Sequence, residues 1–242
     1  MIEYFYLFPI IFLIFITNNF FKKKKILLSI TGEAHQSFTS KKNIPLSGGI
    51  FLVLGFLIFF DQINYFNKFI IIGFYLVGFL SDIKFLKSPL IRLILQILIT
   101  FLFIQNNELF LENTRVIIID QLLEYKIINY LFVIFCITII INGTNFTDGV
   151  NCNVIGYYLI ITLILFQLNL FSESNFNINF VINWILLLLL IYILNFFNKI
   201  YLGDNGSYFL GFIYSYLLIY FYINNQYLSP FFIILLLWYP AF

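Results

Sequence analysis

Long apolar stretches recur along almost the whole 242-residue chain, and only short polar connections separate them. The chain is 62% hydrophobic and 10% charged, and its mean hydropathy is +0.99. Soluble domains do not tolerate such a composition. Alternation with a period of two is absent, and lipid requires backbone groups to be satisfied within helices or closed barrels. The sequence therefore predicts an all-α, polytopic transmembrane helical bundle.

Nine apolar segments qualify as candidate spans, although several fall short of the roughly 20 residues of an ideal spanning helix. They cover residues 4–20, 44–60, 65–80, 89–104, 127–141, 156–171, 180–197, 208–223 and 229–242. No flexible linker divides them, so we expect one integral membrane domain over residues 1–242. Because the chain ends inside the ninth segment, we also expect that it is truncated at its C-terminus.

The basic residues predict how the segments are oriented, because loops rich in Lys and Arg stay cytoplasmic. The loop 21–43 carries six lysines, which places it inside and the N-terminus outside. Alternation then leaves three of the 13 basic residues outside, namely Lys68, Arg115 and Lys126. The longest outer connection spans 105–126, and its Val-Ile-Ile-Ile run predicts a short strand or hairpin at 115–120.

Three aspartates, Asp82, Asp148 and Asp204, lie in polar segments that this orientation places together on the cytoplasmic side. An acid in the centre of a membrane helix costs about 2.5 to 3.5 kcal/mol, so acids near the membrane call for an explanation. Each aspartate alone has a structural interpretation, as a salt-bridged helix cap or a plain turn. Three on one face favour a polar functional site instead.

The residues around the second and third aspartates strengthen that interpretation. Asn142, Asn145 and Asp148 are spaced three residues apart, and Gly149 follows them. A plain turn does not require so many polar side chains. The third motif, Gly-Asp-Asn-Gly-Ser at 203–207, opens directly into the eighth segment. Its glycines allow backbone N–H groups to approach an anion at a helix start, while the acid faces a metal.

These ligand types also indicate which cation and which substrate to expect. Hard oxygen ligands without a histidine or thiolate cluster suit Mg²⁺, with Mn²⁺ as a substitute, and Mg²⁺ completes its shell with water and phosphate. A phosphorylated substrate is therefore implied. Lys41 and Lys42 precede Pro-Leu-Ser-Gly-Gly at 45–49, a turn that would bring charge and glycine amides to phosphates.

In this order, the motifs resemble those of the polyprenyl-phosphate N-acetylhexosamine-1-phosphate transferases. This family, glycosyltransferase family 4, includes the phospho-N-acetylmuramoyl-pentapeptide transferases. The resemblance runs through 45–49, 78–96, 142–156 and 195–211. It implies transfer of a sugar-1-phosphate from a UDP-sugar to polyprenyl (undecaprenyl) phosphate for cell-envelope polysaccharide. It also implies a Mg²⁺ requirement, release of UMP, no nucleic-acid partner, a homodimer and a cytoplasmic active site in the bacterial inner membrane.

The resemblance also implies roles for particular residues. Asp204 matches the metal ligand, and Asp82 and Asp148 match catalytic acids. The matching substrate-binding positions are Lys42, Asn142, Asn145, Asp148, Lys199, Gly206 and Ser207. An N-acetylhexosamine is the expected sugar.

The chain departs from the family pattern at two internal positions. The family has paired aspartates after the third segment, whereas this chain has Ser81 followed by Asp82, and its histidine lies at His35. Two alternatives stay open. One is a phospho-N-acetylmuramoyl-pentapeptide transferase, and the other is a membrane transporter or lipid-binding scaffold that performs no chemistry.

Overall fold

The structure, a computed structural model, describes residues 7–29, 43–60, 63–149, 151–174, 176–225 and 227–241. Within these ranges the chain forms eleven α-helices. They are α1 (Leu7–Lys24), α2 (Gly48–Phe59), α3 (Tyr65–Asp82), α4 (Pro89–Asn107), α5 (Ile117–Leu123), α6 (Lys126–Thr147), α7 (Asn153–Gln167), α8 (Leu170–Glu173), α9 (Ile178–Phe196), α10 (Gly203–Asn224) and α11 (Pro230–Ala241).

The all-helical prediction is confirmed for the described residues, which contain no β-strand and only an isolated bridge between Leu28 and Pro45. Every apolar segment named above contains at least one helix. In these parts of the chain, α4, α6, α9 and α10 are long and apolar enough to cross a membrane, and α2 and α7 are shorter apolar helices. The number of nine spans and the external N-terminus stay predictions.

The predicted hairpin at 115–120 is wrong, because α5 occupies this stretch. Asp120 Oδ1 accepts hydrogen bonds from both the N–H and the hydroxyl of Thr114 at 2.6 Å, which closes the turn before the helix. Ile117 and Ile118 are exposed. A helix satisfies its own backbone groups beside lipid, whereas an isolated hairpin has unpaired edges, so the helix is the stable form for this apolar run.

Helix α10 is the centre of the bundle. It is buried along most of its length and packs most extensively against α3 and α6, with further contacts to α2. Small residues permit this close approach, as is usual between membrane helices. A Cβ added to Gly211 would lie 2.9 Å from Ile141 Cα of α6. The packing therefore places the first turn of α10 among the polar ends of α3 and α6.

A buried group of hydroxyls ties the far side of α10 to its neighbours. Tyr214 shares a hydrogen bond with Thr162 and accepts a second from Trp184 Nε1 at 3.2 Å. Its ring stacks on Tyr158 with centroids 4.3 Å apart, and the Tyr158 hydroxyl lies 2.5 Å from Thr144 Oγ1. Buried donors that are satisfied in this way hold α6, α7, α9 and α10 in one arrangement.

We expect Tyr214→Phe to destabilise the bundle by about 1 kcal/mol, because Trp184 Nε1 then loses its acceptor in a buried site. Thermal unfolding of the protein in detergent measures the effect. Tyr216→Phe is the matched control, since Tyr216 lies on the same helix and its hydroxyl makes no hydrogen bond to the described residues. Equal melting temperatures for the two variants would contradict this role of Tyr214.

Candidate active site

The first turn of α10 is held by an acid from another helix. Asp82, the last residue of α3, accepts hydrogen bonds from the N–H groups of Asp204 and Asn205, each at 3.0 Å. The Asn205 side chain donates to the same carboxylate. Gly203 begins the helix at φ +76°, a conformation that favours glycine. The sequence predicted an anion at this helix start, and in the structure that anion is Asp82.

The carboxylate of Asp204 is held by two side chains from α3 and α4. Its Oδ2 accepts a hydrogen bond from Ser81 Oγ at 2.6 Å and forms an ion pair with Arg92 Nη1 at 2.9 Å. Arg92 Nη1 also donates to Ser81 Oγ at 2.7 Å. Hydrogen bonds to a charged group are among the stronger ones, so these three residues form one compact unit.

The end of α6 brings the second motif to the same place. Asn142 and Asn145 were expected in a turn, but α6 continues to Thr147 and carries both on its last turns. Their spacing of three places them on one side of the helix. Asn145 Oδ1 accepts a hydrogen bond from Ser207 Oγ of α10 at 2.7 Å. Asn142 Nδ2 donates to Gln96 Oε1 of α4 at 2.8 Å.

The three predicted aspartates are close enough to influence one another. Desolvation, followed by the charge of Asp204, raises the pKa of Asp82 to about 7 at the polar end of α3. Burial also raises the pKa of Asp148, which follows the end of α6, well above its usual range, and the charges of Asp82 and Asp204 add to this effect. The acids therefore oppose one another's ionisation, and a bound cation would relieve this repulsion.

Two predicted substrate-binding residues, Gly206 and Ser207, are buried where α10 meets its neighbours. A Cβ added to Gly206 would lie 3.1 Å from Gly49 Cα and 2.4 Å from a Leu202 side-chain carbon. Gly206 thus allows close packing, and Ser207 joins α10 to Asn145 through its hydroxyl. Neither residue presents a surface to solvent in this arrangement.

The two predicted lysines stand apart from this cluster. Lys42 lies outside the described residues. Lys199 is exposed in the connection between α9 and α10, and its backbone N–H donates to Leu194 O. Among the described residues, the ion pair at the aspartates is the one that Arg92 makes with Asp204.

Several residues of this region were not predicted as site residues. Arg92 lies in the range 78–96 of the resemblance, and in the structure it forms an ion pair with Asp204. The sequence feature that could have identified Arg92 as a site residue is its position in an apolar helix, four residues before Gln96, where polar side chains are costly. Asn151 lies in the range 142–156 of the resemblance, and its Nδ2 donates to Asn198 Oδ1 at 2.8 Å, which joins the connections that follow α6 and α9.

The side chains around Asp204 can be compared with the ligands that Mg²⁺ commonly takes in proteins. No group of three or more His, Cys, Asp or Glu side chains in the described part of the chain forms a ready-made metal site. Mg²⁺ does not need such a group, because it commonly binds one or two carboxylates and takes its other ligands from water and phosphate. Asp204 has a partly exposed side chain, and no described residue hydrogen-bonds to its Oδ1. The residues therefore fit the cation.

Residues 68–222 match the family model described as glycosyl transferase family 4. This range includes Asp82, the second motif and the first turn of α10.

Curated relatives with the name phospho-N-acetylmuramoyl-pentapeptide-transferase are also similar to the chain. The protein of Buchnera aphidicola subsp. Acyrthosiphon pisum (strain 5A) is 30% identical over 184 residues, which cover 66% of this chain and 50% of that relative. The Petrotoga mobilis protein is 29% identical over 236 residues, or 87% of this chain and 72% of the relative. The Prochlorococcus marinus protein is 29% identical over 215 residues, or 78% and 57%. The chain spans about half the length of the Buchnera relatives it matches.

Proposed function

The chain belongs to glycosyl transferase family 4, and from this premise we propose that it transfers a sugar-1-phosphate from a UDP-sugar to polyprenyl phosphate. In the proposed reaction, an oxygen of the lipid phosphate attacks the phosphorus that carries the sugar. The bond from that phosphorus to the bridging oxygen breaks, and UMP leaves. The chain is a multi-pass protein of the inner membrane, where such a lipid is present.

One observation supports the proposal above the others, namely that three motifs far apart in sequence meet at the start of α10. Asp82 accepts a hydrogen bond from Asp204, which lies 122 residues later in the sequence, and Asn145 accepts one from Ser207, 62 residues later. A cluster of acids and amides of this kind at a helix end suits a cation, and such a cation in turn binds a phosphorylated substrate.

In the proposed reaction, the residues of this chain would act mainly by holding other groups in place. Asp82 fixes the backbone of Asp204 and Asn205, while Ser81 and Arg92 hold the Asp204 carboxylate. Asp82 is occupied by these donors, so it is a poor general base. A phosphate monoester has its second pKa at about 6 and is already ionised near neutral pH, so the attack needs no proton transfer to the protein.

Asp204 would hold Mg²⁺, with Mn²⁺ as a substitute, through Oδ1. A bound cation at this place supplies Lewis-acid polarisation of the diphosphate and offsets the charge that develops on the leaving group. Arg92 already offsets part of the negative charge of the acids around it. Together these features stabilise charge in a phosphoryl transfer, where preorganised electrostatics contribute most of the effect.

Two UDP-sugars are candidates for the donor. The names of the relatives favour a phospho-N-acetylmuramoyl-pentapeptide group. The sequence led us to expect an N-acetylhexosamine for surface polysaccharide, because loop features of the muramoyl-pentapeptide enzymes were not evident in it. We therefore propose the reaction class, and a comparison of the two donors distinguishes them.

We expect the detergent-purified protein to release UMP from one of the two donors, UDP-N-acetylglucosamine or UDP-N-acetylmuramoyl-pentapeptide. Release should require both added polyprenyl phosphate and Mg²⁺, because the acceptor supplies the nucleophile and the cation offsets the charge. Chromatographic measurement of UMP, with and without lipid and chelator, provides the test.

Omission of the lipid is the internal control, because it separates transfer from simple hydrolysis of the donor. UMP release that does not depend on lipid would contradict the transferase assignment. Lipid binding without UMP release from either donor would favour the scaffold alternative. A homodimer is a separate proposal, which the mass of the detergent-purified protein tests.

A further inference from the structure

Ser81 occupies an unusual place between a cation and an acid. Its hydroxyl accepts a hydrogen bond from Arg92 Nη1 at 2.7 Å and donates one to Asp204 Oδ2 at 2.6 Å. Both roles of the hydroxyl are therefore used within one small unit. Arg92 also contacts Asp204 Oδ2 directly at 2.9 Å, so two donors converge on the same carboxylate oxygen.

The two carboxylate oxygens of Asp204 accept different numbers of hydrogen bonds. Oδ2 receives both donors, whereas Oδ1 receives none from the described residues. A carboxylate held by two donors on one oxygen has little freedom to rotate. The other oxygen therefore stays available to a ligand, in one orientation.

The neighbouring acid does not offer an equivalent ligand. Asp82 uses both of its oxygens to hold the first turn of α10, through the N–H groups of Asp204 and Asn205 and the Asn205 side chain. Binding of a cation to Asp82 would compete with these bonds and loosen the helix start. Asp204 Oδ1 is thus the carboxylate oxygen of this pair that accepts no hydrogen bond from the described residues.

We infer that Ser81 is a positioning residue for the cation site, because its hydroxyl holds Asp204 so that Oδ1 serves as the ligand. Arg92 also helps to fix Oδ2, but its positive charge opposes a cation at the same carboxylate, and we expect this repulsion to outweigh its positioning effect. The inference rests on the proposed function only in taking Asp204 as a metal ligand. A neutral hydroxyl at position 81 holds the carboxylate without adding charge, which an aspartate at this position would not do.

Direct metal binding tests the inference on the 242-residue chain in detergent, with Mn²⁺ as a spectroscopic probe of free and bound metal. We expect Ser81→Ala to weaken Mn²⁺ binding by roughly 10-fold or more, the usual effect of removing a partner that orients a metal ligand. Ser81→Thr retains the hydroxyl and should bind Mn²⁺ nearly as well as the unmodified protein.

Arg92→Gln is the second variant, and its expected effect has the opposite sign. Removal of the competing cation should tighten Mn²⁺ binding by several-fold, on the order of the coupling seen for close charge pairs. A purely structural role of this unit would weaken binding in both Ser81→Ala and Arg92→Gln. The pair of variants is therefore informative even if one of them folds poorly.

Three results would overturn the inference. They are Mn²⁺ binding by Ser81→Ala equal to that of the unmodified protein, no tightening in Arg92→Gln, and no Mn²⁺ binding by the unmodified protein at millimolar concentration. UMP release is measured separately, so failure of the proposed reaction is distinguishable. A chain that binds Mn²⁺ with this dependence on Ser81 but releases no UMP supports the site and contradicts the reaction.

Discussion

Replacement of Asp204 by asparagine is expected to lower the rate of UMP release by at least about 100-fold, the usual cost of removing a group that stabilises developing charge. Asparagine has the same size and still accepts a hydrogen bond from Ser81, but it carries no charge. The ion pair with Arg92 and the proposed cation ligand are lost together. Initial rates of UMP release at saturating Mg²⁺ and lipid measure the effect.

Folding and general charge effects require separate controls for this variant. The first turn of α10 is held by Asp82 through backbone groups, so Asp204→Asn should fold, and a melting temperature in detergent checks this. Glu124→Gln removes an exposed acid just after α5, far in sequence from the motifs, and should leave the rate unchanged. An Asp204→Asn protein that keeps more than a tenth of the activity would contradict the assigned role.

Gly78→Ala is expected to destabilise the protein by about 3 kcal/mol or more, because the added methyl group overpacks a rigid contact. Its Cβ would lie 2.3 Å from Asp204 O and 2.5 Å from Asn205 Cα. Both are backbone atoms, so no side chain can move aside. Relief of the clash requires α3 and α10 to separate, which also breaks the hydrogen bonds of Asp82.

The loss of folded Gly78→Ala is measurable as a lower melting temperature and a lower yield of monodisperse protein in detergent. Gly149→Ala is the matched control. Among the described residues, a Cβ at Gly149 meets only Phe146 O within contact range, at 3.7 Å, so the same substitution should leave the melting temperature unchanged. Similar melting temperatures for the two variants would show that α3 and α10 do not pack as described.

The sequence was sufficient to predict the helical fold and the proximity of the three polar motifs. Apolar segments predicted helices because lipid leaves the backbone few alternatives, and polar residues between them were costly enough to indicate a site. The prediction for 115–120 was wrong, because β-branched residues favour strands in water but form a helix here. The boundaries of α6 and α10 also differed, because both helices extend into the motifs that resembled turns.

The partners within the site were not predictable from one sequence. Spacing placed Asp82, Asp148 and Asp204 on one side of the membrane, but it did not show which donors each would accept. Asp82 accepts hydrogen bonds from the start of α10 and Asp204 forms an ion pair with Arg92, because α3 and α10 approach closely at Gly78. Contacts between distant segments depend on the packing of whole helices, which local patterns do not encode.

The hydrogen bonds that Asp82 accepts from α10 also have a consequence for biosynthesis. The acid emerges from the ribosome 123 residues before Asn205, the more distant of its two backbone partners. At typical rates of synthesis this delay is on the order of 10 s. During that interval α3 carries a carboxyl group without these partners, so its polar end reaches its final set of contacts only after α10 has been synthesised.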